Sequence, residues 1–450
     1  MSESTEAKVM DVEKEELALF GGPKAVDIDP EDIFTWPIVT DEDREAVLDV
    51  LNRGAMSGTD VTKEFEKDFA DWIGSEYALA HPNGTAALKA AMWACGVRAG
   101  DEIICPSITY WASAVPALSL GATVNFADID PETLCIDPDD IEHRIGPKTR
   151  AIVVVHYCGY PAEMDPILDI ASRHDIRVIE DNSHAHGSLY HGKMCGTMGD
   201  IGAMSLMSGK SLPIGEGGMM VTDDRELYER CVAWGHYERT GAPSNYNPPD
   251  KQVEDEELSR FAGVAMGGVK NRLNQMASAM GRVQMKNYPE RMAEIQKAMN
   301  RFWDLLEDVP GMRAHRSPKD SGSTMGGWYH SRGIYHGEEL GGLPCERFCE
   351  AVRAEGINNC YPGANFPLHT HEVFHSADLF GTGKPTALSF GARDVRQGEG
   401  TLPVAERIGE LCFGIPWFKH DRPEQIEKYA NAYRKVAAQA DRLRETEDDE

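Results

Sequence analysis

The chain has 450 residues, 41% hydrophobic and 26% charged, proportions that exclude a disulfide-stapled miniprotein and a wholly disordered chain. Its 45 Lys+Arg against 74 Asp+Glu give a net charge of −29, which repels phosphate backbones, so neither nucleic acid nor an anionic membrane is an expected partner. At roughly 100 to 200 residues per domain, two or three domains are expected.

The opening MSESTEAKVMDVEKEE has no basic n-region or apolar core, and no apolar run nears the roughly 20 residues that span a bilayer. The ten cysteines are scattered and form no Cys-x-x-Cys pair, so they read as reduced, buried small hydrophobes in a cytoplasmic protein. Residues 1–15 are polar and read as a disordered tail. DREAVLDVLNRG predicts a helix from Asp41 to Gly54, and Asp60 caps a second with Val61, Phe65, Phe69 and Ile73 on one face.

Short apolar runs then alternate with helical patterns. Expected strands are Tyr77 to Ala80, Glu102 to Cys105, Thr123 to Ala127, Ala151 to His156, Arg177 to Asp181 and Met219 to Thr222. Expected helices between them include Ala86 to Val97, Trp111 to Leu120 and Ile167 to Arg173. The alternation predicts an α/β fold with a mostly parallel central sheet sandwiched by helices, which gathers ligands at the C-terminal strand ends. Thr240 to Leu258 reads as a long surface loop, and Leu273 to Leu306 as helix with a domain boundary near Tyr288 and Pro289. These readings divide the chain into a large α/β domain over 16–288, a smaller α+β domain over 289–440 ending in a helix after Pro423, and an acidic tail over 441–450.

Three local signals carry chemistry. Asp181 closes the strand RVIED just ahead of His184 and His186, where an ordinary cap is the plain alternative. Lys210 lies in the glycine-flanked SLMSGKSLPIGEGG, and Asn83-Gly84-Thr85 joins a strand to a helix whose first amides suit a phosphate. Together, a phosphate cradle, a carboxylate and a lysine on one parallel sheet meet the needs of pyridoxal 5′-phosphate. The lysine holds the aldehyde as a Schiff base and the carboxylate keeps the pyridine nitrogen protonated.

The segments NGTAAL, PSITYWAS, VVVHYCGYPAEMDPI, VIEDNSHAHGS and SLMSGKSLPIGEGG resemble, in order and spacing, the DegT/StrS group of sugar and cyclitol aminotransferases. The resemblance implies a fold-type I pyridoxal-phosphate transferase. It implies that Lys210 is the Schiff-base lysine and proton shuttle, Asp181 the partner of the pyridine nitrogen, and His184 a neighbour of the phenolic oxygen. Tyr110 takes the place of the stacking aromatic, and Gly84, Thr85, Ala86 and Ser205 those of the phosphate ligands. Where the family commonly has Gly-x-Asn-x-Arg, with the Asn reaching a phosphate across the dimer, this chain has Gly268-Val269-Lys270-Asn271-Arg272. Lys270 is expected to keep the contact as a point charge, with Asn271 as the alternative.

His371-Glu372-Val373-Phe374-His375 also satisfies the His-Glu-x-x-His zinc signature, in a poor context between Pro367 and Gly381. The reading that follows is a homodimeric aminotransferase with shared active sites. It moves an amino group from glutamate or glutamine to a keto cyclitol or keto sugar, possibly nucleotide-linked. The loop at Thr240 to Leu258, the Tyr361 to His371 region and Trp328, Tyr329 and His330 are expected to choose the substrate. LALFGGPKAV and Trp36-Pro37 resemble members acting on inosose-type cyclitols or making aminobenzoate units. The alternatives are a dehydratase of the same family, where a histidine usually replaces the lysine, a zinc hydrolase on His371 and His375, and a non-catalytic cofactor-binding regulator.

Overall fold

The computed structural model describes residues 14–27, 30, 32–241 and 250–445. Residues 242–249 of the expected surface loop, and the outer parts of both expected tails, lie outside the described residues.

A seven-stranded sheet organises the molecule. Its strands are β1 (Tyr77–His81), β2 (Glu102–Pro106), β3 (Thr123–Ala127), β4 (Thr149–Val155), β5 (Arg177–Asp181), β6 (Ile201–Ser205) and β7 (Gly218–Thr222). Their spatial order is β1-β7-β6-β5-β4-β2-β3, with β7 antiparallel to both neighbours and the other pairings parallel. Side chains such as Ile103, Ile104, Ile152, Val153 and Val154 are fully buried, as both faces of a helix-covered parallel sheet require.

The six expected strands are present, and β6 was not foreseen. IGAMS has one β-branched residue and no alternation, so its strand state comes from the partners it lies between rather than from propensity. Asp60 is the first helical residue of Asp60–Ile73 rather than its cap: its carboxylate accepts from Arg53 at 2.9 Å, and Thr59 ahead of it makes no side-chain cap bond. Trp111 to Leu120 is two short helical pieces, Trp111–Ser113 and Val115–Ser119, with Pro116 in the first turn of the second, where no amide proton is needed.

A second core surrounds the small antiparallel sheet Met312–Ala314, Arg332–Tyr335 and Cys412–Gly414 with the helices Cys345–Ala354 and Pro423–Ala438. Leu17, Val26 and Ile33 lie in this core, although the sequence reading placed them with the large domain. The helix Gln275–Asp304 runs unbroken through Pro289. Its first half packs Met285 and Tyr288 beside Phe65 and Phe69, and its second half buries Ile295, Met299 and Phe302 in the second core. Ala440–Glu445 is helical with Leu443 buried, inside what reads as an acidic tail.

The C-terminal part returns to the large sheet. The Gln397 side chain accepts from the Phe126 amide at 2.7 Å and donates to its carbonyl at 2.8 Å, covering the edge strand β3. The ten cysteines are free and buried, and no helix among the described residues is long and apolar enough to cross a membrane.

Candidate active site

The C-terminal ends of β4, β5 and β6 open into a cavity of about 460 Å³. Its lining includes Gly84, Thr85, Tyr110, Asp181, His184, Ser205 and Lys210, seven of the residues expected from the sequence.

Asp181, the last residue of β5, is 4% exposed. Ser113 Oγ donates to its Oδ2 at 2.7 Å and the Ser183 amide to its Oδ1 at 3.1 Å, which fixes the carboxylate at the cavity wall. Ser113 is itself held by Thr109 Oγ1 at 2.9 Å.

Past β6 the chain turns, and Lys210 is anchored through its backbone. Its amide donates to the Met207 carbonyl, and its own carbonyl accepts from Trp36 Nε1, each at 2.8 Å. The amine lies 4.0 Å from the centroid of the Tyr329 ring. Burial disfavours its protonated form and brings the pKa down to about 8, against the opposing pull of Asp181 and Cys158.

At the helix Gly84–Ala94, Asn83 Oδ1 accepts from the Ala86 amide at 2.8 Å. The cap uses the Ala86 donor that was expected for phosphate. The Gly84 and Thr85 amides keep no acceptor among the described residues. A Cβ at Gly84 would lie 2.7 Å from Ser205 Cβ, so glycine lets the helix start meet β6. Ser205 Oγ accepts from the Met207 amide at 3.3 Å, leaving its proton to donate elsewhere.

His184 Nδ1 accepts from the Cys158 amide at 3.3 Å, which assigns the ring proton to Nε2. Burial first, then Lys210, holds this imidazole well below its usual pKa and therefore neutral. Its ring leans on Tyr157 and Tyr329 with centroids 5.4 and 4.7 Å away. Tyr110 is 51% exposed on the cavity rim rather than in the core.

Lys270 is exposed and does not line this chain's cavity. Asn271, the alternative, is buried, with its amide bonded to the Gly235 carbonyl at 2.9 Å and its side chain so close that a Cβ at Gly235 would lie 2.7 Å away. Its side-chain Nδ2 is buried and has no hydrogen-bond partner among the described residues. The zinc alternative does not hold, because between His371 and His375 the chain forms the single 3-10 turn Glu372–Phe374, which does not place the two histidines as an α-helix would. His375 Nε2 bonds the His369 carbonyl at 2.7 Å, His371 Nδ1 accepts from the Val373 amide, and no metal-binding group of side chains occurs among the described residues.

Tyr329 and His330 line the cavity, whereas Trp328 is buried in the second core. Tyr157, Asn365, Glu216 and Arg332 also line the wall and were not singled out from the sequence. Tyr157 and Glu216 lie inside quoted motifs, and Asn365 inside the substrate-side segment, so position was the available signal. The Tyr157 hydroxyl donates to Asn365 Oδ1 at 2.6 Å, tying β4 to that segment.

A model of the DegT/DnrJ/EryC1/StrS aminotransferase family matches residues 37–432. The L-glutamine:scyllo-inosose aminotransferase of Streptomyces griseus is 32% identical over 439 residues, covering 93% of this chain and 97% of that protein. The GDP-perosamine synthase of Escherichia coli O157:H7 is 41% identical over 197 residues, 44% of this chain and 54% of that protein. Among solved structures, an aminotransferase from Psychrobacter cryohalolentis superposes with a TM-score of 0.74 at 28% identity, covering 88% of this chain and 97% of that one.

Proposed function

The chain belongs to the DegT/DnrJ/EryC1/StrS aminotransferase family, whose cofactor is pyridoxal 5′-phosphate, and from that premise we propose that it transfers the amino group of glutamine to a keto cyclitol. Aminotransfer to a cyclitol or sugar ketone is the activity its relatives carry. The choice of a free ring over a nucleotide-linked sugar rests on the inosose aminotransferase that matches nearly end to end, against the shorter match to the perosamine synthase. The observation that carries the reading is the convergence of Lys210, Asp181 and the free Gly84 and Thr85 amides on one cavity.

The residues present fit the cofactor. Gly84 and Thr85 amides with the Ser205 hydroxyl form a phosphate cradle at a helix start, where the helix dipole favours an anion. Asp181, held by Ser113 and Ser183, would present an anchored carboxylate to the ring nitrogen. Tyr110 would cover the ring, and His184 would offer its Nε2 proton to the phenolic oxygen. When bound, the cofactor supplies an aldehyde and an electron-withdrawing ring. Lys210, with a pKa of about 8, is neutral in an appreciable fraction at physiological pH, so its Nζ could take the proton from the donor's Cα and return it on the other side of the transfer.

The protein works as a homodimer in this reading. Lys270 of each protomer reaches the phosphate of its partner. Its exposure supports this, as do Phe261, Val264 and Met266, exposed at 49%, 64% and 39% just before it.

The purified protein should show a visible cofactor band that borohydride bleaches, with the label on the peptide carrying Lys210. Glutamine should discharge the band and a keto cyclitol such as scyllo-inosose should restore it. A band that no amino donor alters would refute aminotransfer.

A further inference from the structure

Three lysines are buried among the described residues, and two have an evident reason to be. Lys210 lines the cavity, and Lys435 is ion-paired with Glu355 at 2.9 Å. Lys419, 4% exposed, has no acid within ion-pair distance among the described residues. Its amine stands over the Trp417 ring and 5.5 Å from the centroid of the Trp36 ring, and the two rings are 6.1 Å apart. Burying an amine without an acid is costly, and packing alone would be served better by an apolar side chain of the same length.

Both indoles reach the active site. Trp36 Nε1 donates to the Lys210 carbonyl at 2.8 Å, and Trp417 Nε1 to the Gly327 carbonyl at 3.0 Å. Gly327 opens the turn that carries Tyr329, His330 and Arg332 to the cavity wall. In that turn Trp328 and His330 have φ of 54° and 55°, left-handed conformations that non-glycine residues keep only where surroundings hold them. Ser331 Oγ adds a bond to the Trp328 carbonyl at 2.6 Å. The Tyr329 ring, 4.0 Å from the Lys210 amine, meets Trp417 edge-on with centroids 5.6 Å apart. The Lys419 amide donates to the Ile33 carbonyl at 2.8 Å, which fastens the arm carrying Trp36 at the same place.

We propose that Lys419 is a positioning residue for Lys210, bracing the Trp36 and Trp417 indoles so that their N–H groups fix the backbone of the reactive lysine and of the turn that carries Tyr329. The inference rests on the aminotransferase reading, and Lys419 acts in it only through the two rings.

The test uses the full chain with Lys419→Met, which keeps the stem and removes the amine. Exchanging an unpaired buried amine for an apolar group should leave the melting temperature unchanged or raised. In the holoenzyme, kcat with glutamine and a keto cyclitol should nevertheless fall about tenfold while KM changes by less than about twofold, the mark of a displaced catalytic group. In cofactor-free protein the amine-labelling midpoint of the Lys210 peptide should rise from about 8 to about 8.5 or above, because a less confined amine is less desolvated. Trp36→Phe, which removes an indole N–H and no charge, should raise that midpoint too. In a background carrying Trp36→Phe and Trp417→Phe, adding Lys419→Met should lower kcat by less than about a further twofold. An unchanged midpoint in Lys419→Met or in Trp36→Phe overturns the brace. So does a lowered melting temperature with kcat intact, or a full tenfold loss in the doubly substituted background. An absent visible band in the unaltered protein fails the aminotransferase reading itself, while the labelling midpoints still judge the brace.

Discussion

At the scale of single residues, the chemistry turns on how far burial moves one amine. Lys210 falls from 10.5 to about 8, and Asp181 and Cys158 keep it from falling further. The folded site releases this proton more readily than the unfolded chain. Between about pH 8 and 10.5 the unfolded state therefore binds more protons, and stability rises with pH across that window; below it both states are protonated and the penalty is present in full. In cofactor-free protein, competitive amine labelling of the Lys210 peptide should titrate near pH 8. Asp181→Asn should lower that midpoint, since it removes a charge that raises it. A midpoint near the ordinary lysine value, or an upward shift in the variant, contradicts this account.

At the scale of elements, what the sequence made legible depended on how locally each feature is caused. The strands flanking Asp181 were readable because VVV and RVIED carry their own β-propensity, and the cradle because Asn-Gly-Thr is local turn chemistry. β6 and the aim of Arg332 were not, since one depends on pairing with β5 and β7 and the other on a strained turn held by Trp417 and Ser331. The N-terminal arm is a third case. It docks on the second core through Glu355, whose carboxylate accepts from the Ala18 and Ala25 amides at 2.8 and 2.9 Å and from Lys435 Nζ at 2.9 Å. Both charged side chains are fully buried, and nothing near Leu17 in sequence announces a partner more than 300 residues away. Glu355→Ala leaves the Lys435 ammonium unpaired in the interior and should cost about 3 to 5 kcal/mol. Denaturant unfolding measures it, and a loss below about 1 kcal/mol would show that the arm is held by apolar contacts alone.

At the scale of the whole molecule, the cavity described in one chain is lined by the residues proposed to anchor the cofactor but not by Lys270, which is exposed elsewhere on the surface. If Lys270 serves the neighbouring subunit, its loss is a defect in trans, and mixing can distinguish that from a defect in cis. Lys270→Ala should weaken cofactor retention about tenfold or more, the scale of one charge-assisted contact to phosphate. Lys210→Ala should abolish turnover. In a heterodimer of the two variants, one site lacks both lysines while the other combines an intact Lys210 with an intact Lys270 from the partner. Random pairing makes about half of the dimers heterodimers with one intact site each, so mixed preparations should recover about a quarter of the unaltered activity. Measured at limiting cofactor, where the Lys270→Ala homodimer is largely empty, that recovery requires sharing across the interface. If Lys270 acted within its own subunit, neither site of the heterodimer would be whole, and mixing would recover nothing beyond the average of the two parents.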